Sequence, residues 1–305
     1  MISISHKAKQ LLVLLIKLLI VGGAFYFIYN QIAHNNQLNW VLFLEKFTKN
    51  KSFLGIVFIL LLSFLNRFFE ILKWQNLVSY IHKITVFDAT KQVLGALTAG
   101  LFTPNGIGEY AGKALFFEKF QAKNIVFLNL ICNGIQLILS VIFGIFGLLY
   151  LGYSKWVVFL LAVLLGFLVL GFGLKKIKIK GYSITDLIFK INEIPKSIHQ
   201  KNNYLAVCRY LIFSHQYYFL FMAFDVQLPY FTLMATISTV YFLASSLPTF
   251  QFLDFAVKGS VAVYFFGLFG VNEWIVIFIS TLMWFLNVVL PVLIGSYFVL
   301  VFKPK

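Results

Sequence analysis

Arg67 and Arg209 are the only arginines in the sequence, and each lies inside a long apolar run. Two acids are each followed one helical turn later by a lysine, Glu109 by Lys113 and Asp254 by Lys258. An Arg, Lys or Asp at the middle of a membrane helix costs roughly 2.5–3.5 kcal/mol on insertion scales, so charges kept there point to a ligand, an ion path or an internal pair. A guanidinium presents a planar fork that matches phosphate or carboxylate, while an ammonium supplies a compact point charge. Side chains of this kind suit electrostatic capture of an anionic headgroup rather than the making and breaking of bonds. The sequence holds no nucleophile elbow, no H-E-x-x-H and no phosphate loop, and its acids are too few for a metal cluster. We therefore expect a protein that is not an enzyme and that carries no metal and no cofactor.

The backbone around the first pair adds a second feature. From Thr103 the chain reads Thr-Pro-Asn-Gly-Ile-Gly-Glu-Tyr-Ala-Gly-Lys, between two apolar helical segments. Pro104 lacks an N–H and glycine carries a large backbone-entropy cost, so the helix ending near Phe102 is expected to stop at Thr103 and restart near Gly108. That restart puts Glu109 and Lys113 on one face of the first turn. Irregular backbone at membrane depth persists only where protein or a water-filled cavity satisfies its polar groups, which makes the break a candidate binding site. Its free N–H groups and Lys113 suit a lipid phosphate, and Glu109 a cationic headgroup or a proton. Glu109 equally fits a plainer role, as an acid favoured by the helix dipole.

Each of the other polar residues has a bland reading beside the functional one. Arg67 with Glu70 at i,i+3 is either an ion pair that neutralises itself inside the bundle or leaves the arginine for a phosphate. Arg209 has no acid nearby on its own helix, which points to a ligand or to an interhelix contact. His215 reads as a core histidine, a partner for Asp225 or a proton relay. Lys17 lies close enough to a span end to snorkel, and Trp40, Trp74, Trp156 and Trp274 fall at expected span ends, where an aromatic belt suffices. Asn287 stands four residues before Pro291, whose missing N–H frees the carbonyl at that position, so a kink is expected there. Cys132 and Cys208 lie in apolar spans without a partner at metal or redox spacing and read as inert thiols.

The elements that must position these residues follow from composition. Of 305 residues 61% are hydrophobic and 11% charged, with a mean hydropathy of +0.90, which excludes a soluble globular domain. The chain reads as an all-α polytopic membrane protein, a single integral domain over residues 1–305. The net charge of +15 would suit nucleic acid, but the lysines fall mostly in loops between apolar segments and form no aromatic-interleaved patch, so no nucleic-acid partner is expected.

A retained first span covers residues 11–29, with a loop to 52, and a second span covers residues 53–74. A short arm over 92–102, about 16 Å of helix, cannot cross a hydrocarbon core of about 30 Å; with a second arm reaching Phe120 it reads as a re-entrant hairpin. Residues 125–151 and 156–174 are full spans. The lysine-rich stretch 175–203 is cytoplasmic by the positive-inside rule. Residues 204–224 and 273–302 cross again, and between them 230–247 and 254–269 flank Pro248 as a second broken pair.

The expected fold is thus six full spans plus two re-entrant helical hairpins, arranged as an inverted repeat of 53–151 and 204–302 joined by 152–203. Arg67 and Arg209 precede Pro104 and Pro248 by 37 and 39 residues, and each proline is followed by its acid–lysine pair. One point fits poorly, since both arginines fall nearer the cytoplasmic side whereas inversion would separate them.

Thr103, Pro104, Gly108, Glu109 and Lys113 resemble the T-P-x-x-x-G-E motif, with its following basic residue, of the lysylphosphatidylglycerol synthase transmembrane, or flippase-like, family. Members similar to this chain carry a second L-P-G-G-x-G stretch; here Leu247 and Pro248 stand, but Thr249, Phe250 and Phe252 replace the glycines. The resemblance runs from about Phe53 onward. It implies an inner-membrane protein that binds and translocates an anionic, aminoacylated or polyprenyl-linked lipid between leaflets, and counting spans from the cytoplasmic lysine-rich loop puts both termini in the cytoplasm. The family's aminoacyl-transfer domain has no counterpart in the sequence, so synthase activity is not implied. The headgroup site expected from residues and resemblance together comprises Arg67, Thr103, Pro104, Gly108, Glu109, Lys113, Arg209, Asp254 and Lys258, with membrane lipids as partners. Two other classes stay open: a membrane subunit that positions a separate lipid-modifying enzyme or glycosyltransferase, and a small-solute channel or exchanger.

Overall fold

The computed structural model describes residues 53–101, 103, 106–175, 183–247 and 254–302. The expected span at 11–29, Lys17, Trp40, Pro104, Pro248, Thr249, Phe250 and Phe252 lie outside them. Among the described residues every regular element is helical: α1 (Phe53–Val78), α2 (Val86–Gly100), α3 (Ile107–Ala114), α4 (Ala122–Tyr150), α5 (Ser154–Gly173), α6 (Ile184–Glu193), α7 (Lys196–Ala223), α8 (Tyr230–Ser246), α9 (Asp254–Gly267), α10 (Glu273–Trp284) and α11 (Leu290–Val301). A 3₁₀ turn leads into α4, and a π-helical turn, Phe285–Val289, joins α10 to α11.

Four of the helical stretches are long and apolar enough to cross a membrane: Phe53–Val78, Lys119–Tyr150, Ser154–Gly173 and Glu273–Val301. Helix α7 has the length, with 28 residues, but carries Arg209, His215 and Gln216 and is less apolar than these four. Helices α2 and α3, with 15 and 8 residues, are too short to cross alone.

Two apolar clusters mark the ends of the bundle. One gathers Val78 at the end of α1, Ala89 at the start of α2, Phe117 after α3, Ile125 at the start of α4, and Ile194. The other gathers Leu148 and Val157 on either side of the α4–α5 turn with Phe224, Val226, Leu233, Phe266 and Val276. Helices α1 and α7 pack antiparallel across the middle. Phe58 meets Phe219 with ring centroids 5.1 Å apart, and Asn76 donates to the Ile198 carbonyl at 2.8 Å.

Helix α8 lies on α4 and α11 lies on α2. Both contacts depend on glycine, as membrane helix interfaces do where backbones approach closely. A Cβ on Gly147 of α4 would stand 2.5 Å from the Ala235 carbonyl oxygen of α8, and one on Gly295 of α11 would overlap the Leu94 carbonyl of α2.

Several boundaries differ from the sequence expectation. Helix α2 starts at Val86, six residues before the expected Gln92, because Thr85 caps it by accepting from the Asp88 N–H at 3.1 Å. The second arm ends at Ala114 rather than Phe120, since the chain turns to bury Phe117 against Trp74 and Leu77. The lysine-rich stretch contains α6, with a Ser183–Asp186 capping box, and α7 begins within it at Lys196. Trp74 is not at a span end. Helix α1 runs on to Val78, and Trp74 is wholly buried, whereas Trp156 and Trp274 are exposed at the starts of α5 and α10.

Gly295→Leu is expected to lower the thermal midpoint in detergent, overpacking of this kind costing about 1–3 kcal/mol. Gly166→Leu on α5, where a Cβ meets nothing within 4 Å, should leave the midpoint unchanged. Equal midpoints for the two variants would contradict the close approach of α11 and α2.

Candidate functional site

The antiparallel packing of α1 and α7 brings the two arginines to one carboxylate. Arg67 and Glu70 share a face of α1 at i,i+3 spacing and form an ion pair through Nη1 and Oε2. The same Oε2 lies 3.2 Å from Nη2 of Arg209 on α7. Asn66 completes the crossing, accepting from Arg209 Nε at 3.0 Å and donating to Asn287 Oδ1 at 2.6 Å. Asn287 in turn donates to Gln216 Oε1 and to the Met283 carbonyl, both at 3.0 Å.

The kink expected at Pro291 has a partner. Pro291 cannot donate to the Asn287 carbonyl, and the helix widens into its π turn there. Arg67 Nη2 takes that carbonyl instead. A backbone acceptor freed by one residue thus satisfies a buried guanidinium on another helix.

This network forms one wall of a cavity of about 340 Å³. Arg67, Glu70 and Arg209 line it with Glu109 from α3 and Asp254 and Lys258 from α9, the last two joined as an ion pair. Polar side chains of α4, Asn133, Gln136 and Ser140, face the same space, as does Tyr241, whose ring centroid is 5.4 Å from Lys258 Nζ. Three cations and three acids balance to a formal charge of zero. Arg67 Nε and Gln136 Nε2 are donors without a hydrogen-bond partner among the described residues.

Of the nine expected site residues, Arg67, Glu109, Arg209, Asp254 and Lys258 line the cavity. Lys113 does not. It is fully buried behind the wall, donating from Nζ to Asn129 Oδ1 at 2.6 Å and lying 4.5 Å from the Trp74 ring centroid. Trp74 is held in turn by its indole N–H, 2.7 Å from Gln92 Oε1.

Thr103 and Gly108 shape the break. The Thr103 hydroxyl donates to the Gly100 carbonyl at 2.7 Å and accepts from the Gly108 N–H at 2.8 Å. A Cβ at Gly108 would stand 2.7 Å from the Ala99 carbonyl oxygen, so α3 can lie this close to α2 only with glycine there. His215 meets the Tyr230 hydroxyl at 2.9 Å and the Leu211 carbonyl at 2.8 Å.

The sequence reading passed over the interhelix role of Glu70, the part played by Asn66, and Lys73, which is fully buried and donates to the Cys132 carbonyl at 2.8 Å. A signal was present. Ser63, Asn66, Arg67, Glu70 and Lys73 repeat at helical spacing and draw one polar stripe down an otherwise apolar span.

A scan against protein-family models, a search of curated proteins and a search of solved structures each returned no match.

Removing one partner of a buried ion pair leaves an uncompensated charge, a loss of about 3–5 kcal/mol. Glu70→Ala is therefore expected to destabilise the protein by this order in detergent, and adding Arg209→Leu should restore part of the loss. Strictly additive losses in this double-mutant cycle would show that the two side chains do not act as a pair.

Proposed function

We propose that the protein is a flippase-like translocator that carries a phosphate-bearing lipid, aminoacylated ones included, between leaflets of the inner membrane. In this reading both termini are cytoplasmic, and six spans and two re-entrant hairpins form an inverted repeat. The α2–α3 pair and the α8–α9 pair support the repeat, because each opens at a different end of the bundle, among the two end clusters. Exchanging the halves turns the α4–α8 contact into the α11–α2 contact and maps α1 onto α7. The arginine positions support it too. With α7 starting at Lys196 and α1 ending at Val78, both arginines sit near the middle of their helices.

The observation that carries the function is the charge-balanced cavity in which one carboxylate is shared by arginines from corresponding helices. Glu70 stands where a phosphate would bind. A lipid phosphate that displaces it gains two guanidinium forks and the unpaired Arg67 Nε donor. The displaced negative charge then needs a cation, and an amine on the headgroup supplies one to Glu70, Glu109 or Asp254. The lipid tails stay in the bilayer, so the cavity has to hold only the head. The likeness of Thr103, Gly108 and Glu109 to the flippase-like motif agrees with this assignment.

A second reading, a membrane subunit that positions a separate lipid-modifying enzyme, draws on α5. Only Val157 of that helix is buried, which leaves a whole span facing outward.

Proteoliposomes carrying headgroup-intact, tail-labelled phosphatidylglycerol or its lysyl ester distinguish the readings. Bleaching of the outer leaflet reports how much label moves. The wild-type protein is expected to move label faster than protein-free vesicles, and Arg209→Gln to slow it about tenfold or more, the factor that one lost charged hydrogen bond gives. A wild-type rate in Arg209→Gln would refute the site, and no movement at all with the wild-type protein would favour the subunit.

A further inference from the structure

A second hollow, separate from the central cavity, lies where α3, α4 and α6 meet. Its volume is about 420 Å³, and Val126, Phe127, Leu130 and Leu187 make it apolar. Two lysines complete it. Lys123 precedes Phe127 by one turn of α4, and Lys190 follows Leu187 by one turn of α6, with Nζ 5.9 Å from the Phe127 ring centroid. The apolar wall therefore runs along α4 away from Lys123, and lysines from two different helices line it. The neighbouring acid Asp186 caps α6, accepting from the Ser183 N–H at 2.9 Å.

Helix α6 fixes the depth of this hollow. None of its ten residues is buried, and Ile184, Ile188, Phe189 and Ile191 are exposed beside Lys190 and Glu193. An amphipathic helix that leaves its apolar side uncovered beside membrane spans belongs at the bilayer surface. The hollow then opens at the level where phospholipid headgroups meet their tails.

We propose that this hollow is a binding site for an anionic phospholipid, with one acyl chain against Val126, Phe127, Leu130 and Leu187 and the phosphate between Lys123 and Lys190. Charge complementarity selects the lipid, because a basic pocket between membrane helices recognises an anionic headgroup while the apolar wall accepts any chain. Helix α4 lines both hollows, with Val126 and Leu130 here and Asn133 and Gln136 on the central cavity, so the two sites share a partition. The site does not depend on translocation.

Photo-crosslinking of the full chain in nanodiscs tests it, with phosphatidylglycerol or phosphatidylcholine bearing a diazirine in one acyl chain and the labelled peptides mapped. Phosphatidylglycerol is expected to label the peptides holding Val126–Leu130 and Leu187 roughly tenfold more than phosphatidylcholine, the order that two lysines near an anionic headgroup supply. Lys123→Gln with Lys190→Gln should bring the two probes level. Leu187→Trp, which fills the hollow from an exposed helix, should remove labelling there while labelling of α5 persists as the control for an intact protein. Equal labelling by both probes in the wild-type chain would mean only boundary lipid and overturn the proposal. So would labelling unchanged by Leu187→Trp, or labelling abolished by inorganic phosphate, which would mark an ion site instead.

Discussion

One carboxylate holds the centre of this bundle together. Glu70 lies between Arg67 on its own helix and Arg209 on α7, and so joins two separate helices by charge. Burial makes the constraint severe, because a guanidinium left without its carboxylate at membrane depth is costly. The geometry of the middle of the molecule follows from it. Helices α1 and α7 must cross with their midpoints in register, Asn66 must bridge them, and the α10–α11 span must present an unpaired carbonyl to the remaining arms of Arg67. Pro291 is what makes that carbonyl available.

Around this centre the contacts are made by small residues instead of charge. Gly147 admits α8 to α4, and Gly295 admits α11 to α2. Between hydrocarbon-facing helices there is no water to expel, and close backbone approach supplies the attraction that burial supplies elsewhere. The break at Thr103 belongs to the same economy of space. Its threonine closes the turn with two hydrogen bonds, and Gly108 lets α3 run back against α2, which aims Glu109 into the cavity.

Much of this was legible in the residues, and the omissions have physical reasons. Proline and glycine located the broken helices, because their backbone effects are local and need no knowledge of neighbours. The acid–lysine pairs and the lone arginines marked charge held against hydrocarbon, and five of the six residues so marked do meet around one cavity. Lys113 was marked by the same rule and went elsewhere, onto Asn129 and the face of Trp74, since spacing fixes which helix face a side chain occupies but not what lies opposite. Glu70 was legible only as a local partner. Its second arginine comes from 139 positions further along the chain, a contact that a single span cannot reveal. Boundaries erred where polar residues looked like linkers, as at Thr85–Asp88 and Lys196, because a helix end beyond the apolar run carries the composition of a loop.

With three cations against three acids among the residues that line it, the cavity carries no formal net charge, yet it contains two guanidinium groups on a single carboxylate. In the proposed reading an incoming phosphate competes with Glu70 for the same forks, and its binding energy is reduced by whatever the internal pair was worth. That reduction is useful to a carrier, since a site that bound its cargo without competition would release it slowly. It also ties occupancy to the register of α1 and α7, because the carboxylate that gives way is the one joining them. In the proposed reading, the same exchange that admits the headgroup loosens the contact between the two halves, and restoring Glu70 to both arginines is what expels the headgroup again.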